Sequence, residues 1–147
     1  MKLFKQFFIP LAALLMLLGS FNVRADTDFA EKHVVLQISD GNPKRQTLVL
    51  NVANNLIKHY GPDKIAIEIV AFGPGLKLLF ANNEVSTPRI DGLTSNGVKF
   101  SACKNTIAAI KRKTGKEPKI NKQATKVSAG VVRIMDLVAK NYTLIKP

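Results

Sequence analysis

KIAIEIVAFGPG, residues 64–75, is the stretch whose reading decides the fold. From Ile65 to Phe72 every residue except Glu68 is apolar, and β-branched Ile and Val dominate. Such a run reads as a strand with no solvent face. A strand covered on both sides belongs to a parallel sheet, because its crossovers lay helices over the faces. Gly73-Pro74-Gly75 then ends the strand and turns the chain into a short helix over GLKLLFA.

Upstream, HVVLQIS (33–39) reads as a first strand. Asp40-Gly41-Asn42-Pro43 supplies turn chemistry, a potential N-cap and a proline suited to a first helical turn. From Lys44 to Tyr60 the apolar residues Leu48, Val49, Val52, Leu56, Ile57 and Tyr60 recur at helical spacing, and Gly61-Pro62 stops the helix. Downstream, Ser86-Thr87-Pro88 opens a helix that runs to Gly97, and VKFSA (98–102) is a third strand. A helix follows over Asn105–Thr114, with Ile107 and Ile110 facing inward, then a Lys-rich loop over 116–126. A short strand near Lys126-Val127-Ser128, a helix over 131–141 and TLI (143–145) complete the pattern. Strands and helices alternating through short connections predict a single-domain three-layer α/β/α sandwich with a mostly parallel sheet.

In that fold class ligands bind outside the carboxyl ends of the strands. Four loops fall there: Asp40–Lys44, Gly73–Gly75, Cys103–Thr106 and Ser128–Gly130. The chain has a single cysteine, Cys103, so a disulfide framework is excluded. Cys103 is left buried and inert, paired with another molecule, or kept as a reactive thiol. At a strand-to-helix handover it meets unpaired N–H groups and the positive end of a helix dipole, and Lys104 adds charge. All of these favour the thiolate, the nucleophilic form. Asn105 and Thr106 share that first turn. Gly73, Pro74 and Gly75 form a tight turn that can also offer N–H groups to an anion. They are neither a dinucleotide fingerprint nor a P-loop, since Leu78 takes the third glycine position and no Gly-Lys-Ser/Thr follows. Asp40 and Gly41 read first as a helix cap. Ser128 and Gly130 can present a hydroxyl or an N–H to a bound anion, or simply start a helix. His33 and His59 have no partners at ligand spacing, so neither a metal site nor a Cys–His pair is expected.

The chain opens on Lys2 and Lys5, then twelve residues, Phe7–Leu18, that are apolar apart from the ring of Pro10, then Val23-Arg24-Ala25. This reads as a cleaved secretory signal over residues 1–25, with a domain over 26–147 and a periplasmic location. Formal net charge is +12, and the first 25 residues account for three of those positive charges. From Lys99 to Lys126 there are nine basic residues and one acid, Glu117. A positive field around Cys103 would draw small anions toward it. Nucleic acid is not expected, because there is no Trp, Tyr is scarce and no aromatics interleave with the charges. Contact of the Lys111–Lys126 segment with an anionic membrane surface is a less favoured reading.

VVLQISDGNPKRQTLVLNVANNL, IEIVAFGPGLKLLF, GVKFSACKNT and AGVVRIMDL together resemble the DsrE/DsrF-like sulfur-relay family, over nearly the whole of residues 33–147. The resemblance implies a three-layer α/β/α fold and homo-oligomers, trimers or hexamers. It also implies sulfur handling: in active members one cysteine accepts sulfane sulfur as a persulfide and passes it on, and Cys103 in FSAC matches that position. Thiosulfate, polysulfide or a sulfur-carrier protein would then be the partner, and no metal or organic cofactor is required. Other members lack the cysteine and serve structural or accessory roles. The alternative is therefore a non-catalytic oligomeric binding module for an anion or acidic partner, with Cys103 as packing.

Overall fold

The computed structural model describes residues 29–147; the secretory signal read at 1–25 lies outside the described residues. Strands β1 (Lys32–Ile38), β2 (Ile65–Ala71), β3 (Lys99–Cys103), β4 (Ala124–Val127) and β5 (Thr143–Ile145) alternate with helices α1 (Pro43–Tyr60), α2 (Thr87–Ser95), α3 (Lys104–Thr114) and α4 (Gly130–Ala139). The five strands form one parallel sheet in the order β4-β3-β2-β1-β5. The three-layer α/β/α class is what the structure contains.

Strand order explains where the helices go. From β1 to β4 the chain steps always toward the same edge, and right-handed crossovers then put α1, α2 and α3 on one face. The return from β4 to β5 runs the other way, past β1, so α4 lands on the opposite face. Side-chain alternation follows this division. Val34, Leu36, Ile38, Ile65, Ile67, Ile69, Ala71, Phe100 and Ala102 pack with α1, α2 and α3 in the main core. Val35 and Val70 meet Ile134 and Leu137 of α4 in a smaller one. All seven residues of β2 are buried, the one charged residue Glu68 included, as expected of a strand covered on both faces.

Three local readings change. The helix read over GLKLLFA is a 3-10 helix that starts earlier and ends earlier, Gly73–Leu79, drawn tight against β1. A Cβ on Gly75 would overlap the carbonyl of Ile38, so only glycine lets the two segments touch. Strand β4 starts at Ala124, inside the stretch read as loop; it is an edge strand with no fully buried residue, so its alternation leaves little hydrophobic signal. In α1 the buried positions are Gln46, Val49, Leu50 and Ala53, whereas Leu48 and Tyr60 lie on the outer side. Gln46 takes an interior place because its side-chain amide reaches the carbonyl of Asp40 at 3.5 Å.

Candidate functional site

Cys103 is the last residue of β3 and the N-cap of α3, in extended backbone conformation. Alternation along β3 sends Phe100 and Ala102 toward the main core, and Ser101 and Cys103 toward α4. The sulfur therefore stands between the first turns of two helices on opposite faces of the sheet. It is only 5% exposed.

Burial pushes the Cys103 thiol up, yet the net direction is down, below the ordinary value of 9.0. The Thr106 hydroxyl opposes burial most strongly, followed by the backbone N–H groups of Thr106, Gly130 and Asn105. Cys103 makes no full side-chain capping bond to α3. These donors act on the sulfur as partial positive charges that favour the ionised form. The Thr106 hydroxyl is itself held in place, since it accepts a 2.9 Å hydrogen bond from the N–H of Gly73. With that lone pair engaged, its proton is free to turn toward the sulfur.

Gly130 reaches the site because it has no side chain: a Cβ there would lie 2.8 Å from Cδ1 of Phe72 and 2.9 Å from its Cβ. One turn further along α4, Arg133 secures the helix to the sheet. Its Nε and Nη2 donate to the two oxygens of Glu68 at 2.7 and 2.6 Å, and the Ser101 hydroxyl donates to Oε1 at 2.6 Å. Glu68 is 2% exposed, so this fork satisfies a carboxylate that would otherwise be stranded in the interior. Neither Arg133 nor Ser101 emerges from sequence reasoning. The available signal was Glu68 itself, the lone acid in an apolar strand, which demands a cationic partner from elsewhere in the chain.

The other residues named from sequence divide into two groups. Asn105, Thr106 and Gly130 meet at Cys103 through backbone N–H groups and one hydroxyl, and Gly73 joins them only through Thr106. The N–H of Gly73 is engaged by Thr106 and does not face a ligand. Asp40 accepts from the N–H of Asn42 at 2.8 Å, and Asn42, as N-cap of α1, accepts from the N–H of Lys44 at 2.9 Å. Gly41 packs on Pro74, where a Cβ would lie 3.1 Å from that ring. These residues shape the edge without touching the sulfur. Lys104, Pro74 and Ser128 are exposed. His33 stacks edge-on with Tyr142, and His59 with Tyr60. Among the described residues no group of three His, Cys, Asp or Glu side chains is placed to hold a metal ion.

Among solved structures, the chain is similar to a protein of unknown function from Methanobacterium thermoautotrophicum. The two are 27% identical with a TM-score of 0.69, and the match covers 79% of this chain and 99% of the other. No family model matches the chain, and no curated protein matches it either. What the likeness shows is a shared α/β architecture.

Proposed function

We propose that this protein is an exported sulfur carrier of the DsrE/DsrF-like kind, in which Cys103 takes up sulfane sulfur as a persulfide and hands it to a partner. One observation carries the reading: the only thiol in the chain sits where two helix starts and an oriented hydroxyl converge to favour its ionised form. With thiosulfate as donor, the Cys103 thiolate attacks the outer sulfur, the S–S bond breaks, and sulfite departs with the bonding pair. Cys103–S–S⁻ remains, with charge balanced. An acceptor thiolate then attacks the outer sulfur and releases Cys103 as thiolate. The transfer uses the thiol alone. The charge around Lys104 supports uptake of an anionic donor, and the signal read at residues 1–25 supports a periplasmic setting.

The outer side of α4 supports the expected homo-oligomer. Val131, Val132, Met135 and Val138 are 54%, 49%, 66% and 46% exposed, more apolar surface than a solvated helix presents.

Intact-mass spectrometry of pre-reduced protein after incubation with thiosulfate or polysulfide tests the carrier reading. The expected result is a reducible gain of one sulfur atom or more, absent from Cys103→Ser; a variant that still gains sulfur sinks it. The 5% exposure of Cys103 favours a second reading, the binding module in which the cysteine is packing. A carrier thiol reacts with a small alkylating reagent in the native state, whereas a packing thiol reacts only after denaturation.

A further inference from the structure

Helix α3 leads away from Cys103 and closes at Gly115, whose φ of +73° lets its N–H return to the carbonyl of Lys111. At this far end a groove of about 690 Å³ opens between α3 and the chain that follows the 3-10 helix. Its floor is apolar, with Phe80 and Ile110 packed against the main core. Lys116 and Lys119 line it directly, and Lys111, Arg112 and Lys113 stand exposed on the last turn of α3. The groove is braced. Ala81 N–H donates to Lys119 O at 2.9 Å and Asn121 N–H to Leu79 O at 2.8 Å, around an antiparallel bridge between Phe80 and Ile120.

The helix dipole accounts for cations on the last turn of α3. It does not account for Lys116, Lys119, Lys122 and Lys126, which lie beyond the helix. Glu117, the one acid of this stretch, also lines the groove, and Lys126 holds it at 3.0 Å. That ion pair and the nearby Lys111 keep the Glu117 carboxyl below the usual carboxylate range. The region is therefore a persistent excess of positive charge above a recessed apolar floor.

We infer that this groove docks an acidic protein segment, which seats one apolar side chain against Phe80 and Ile110 while its carboxylates meet Lys116 and Lys119. Charge complementarity selects an acidic occupant, and the recessed floor selects an inserted side chain. A bilayer surface would call for apolar groups that protrude beyond the lysines. This docking is independent of the thiol chemistry: it asks only for the groove and its charge.

The test is fluorescence anisotropy with three labelled synthetic peptides. One carries Glu on both sides of a single Phe, the second has Gly in place of that Phe, and the third has Lys in place of each Glu. The Glu–Phe peptide is expected to bind, and more weakly as salt is added. Removing the Phe, or introducing Lys116→Glu with Lys119→Glu in the protein, is expected to weaken binding by about tenfold or more. Both lysines are exposed, and an unchanged thermal melt certifies the double variant. Failure of the Glu–Phe peptide to bind at low salt overturns the inference. So does equal binding of the two acidic peptides, or wild-type affinity in the double variant. Displacement of the peptide by phosphatidylglycerol vesicles also overturns it, and assigns the rim to a lipid surface.

Discussion

Helices α3 and α4 begin at the same sulfur and face solvent with opposite chemistry. The outer side of α3 is polar and ends in Lys111, Arg112 and Lys113, whereas that of α4 carries Val131, Val132, Met135 and Val138. Their attachments differ as well. Cys103 is the N-cap of α3, so Asn105 and Thr106 reach the sulfur by chain continuity. Gly130 comes from the other side of the sheet, and among the described residues its helix is the only one on that face. The grip of Arg133 on Glu68 replaces the covalent link that α4 lacks. One half of the thiolate environment is thus local and cheap to form, and the other half depends on tertiary structure.

By that asymmetry, the largest effect comes from releasing the anchor. Arg133→Met leaves Glu68 charged in the interior with only Ser101 as donor, and should cost about 3–5 kcal/mol in urea unfolding. Replacing Glu68, Ser101 and Arg133 together by Met, Ala and Met should recover most of that loss, because no stranded charge remains. On α3, Lys111→Ala or Lys113→Ala should stay within about 0.5 kcal/mol. Equal costs on the two helices would erase the contrast. The outer surfaces offer the next comparison. In the proposed assembly, Met135→Lys should weaken self-association by about 1.5–3 kcal/mol per contact, the value of burying such a side chain. Sedimentation velocity would show smaller species with an unchanged melting temperature; an unaltered distribution would remove α4 from the interface.

Glycines sharpen the same contrast at lower energy. Gly130→Ala would drive a Cβ into Phe72 and push the start of α4 away from the sulfur, at about 1–3 kcal/mol. It should also raise the thiol pKa, read by thiolate absorbance, as the Gly130 N–H withdraws. Gly92→Ala in α2 meets nothing within 4 Å and should stabilise the protein by about 0.4–1 kcal/mol.

These interactions differ in how much of them a sequence can display. The parallel sheet is legible because β2 is apolar at every position but Glu68 and because Gly61-Pro62 and Gly73-Pro74-Gly75 punctuate it. The sulfur's position is legible too, since strand end and helix start adjoin in FSACKNT. The rest is not local. Arg133 lies 65 residues from Glu68, and no periodicity links them. Thr106 lies 33 residues from Gly73, and its hydroxyl becomes an oriented donor only when two loops meet on one sheet edge. The first half of strand β4, Ala124 and Thr125, escapes notice for a different reason. The strand pairs along one side only, and its residues are at most partly buried, so its start reads like the lysine-rich loop before it.

The smallest effect separates the local half of the environment from the distant half. Thr106→Val keeps the shape but removes a donor from Cys103 and the acceptor of Gly73 N–H, at about 1 kcal/mol. Thr106→Ser keeps both and should behave as wild type. The pH dependence carries the decisive sign. A thiol whose native pKa is depressed below 9.0 adds stability that is complete above the unfolded-state value and lost as pH falls through the native pKa. The stability difference between wild type and Cys103→Ser should therefore grow with pH across that window. In Thr106→Val the native pKa moves up toward 9.0, so the window narrows and the growth shrinks. A wild-type difference that stays flat with pH would mean that the donors around Cys103 do not favour its thiolate. Growth that survives intact in Thr106→Val would assign the effect to the backbone N–H groups, and Gly130→Ala would then divide them between α3 and α4.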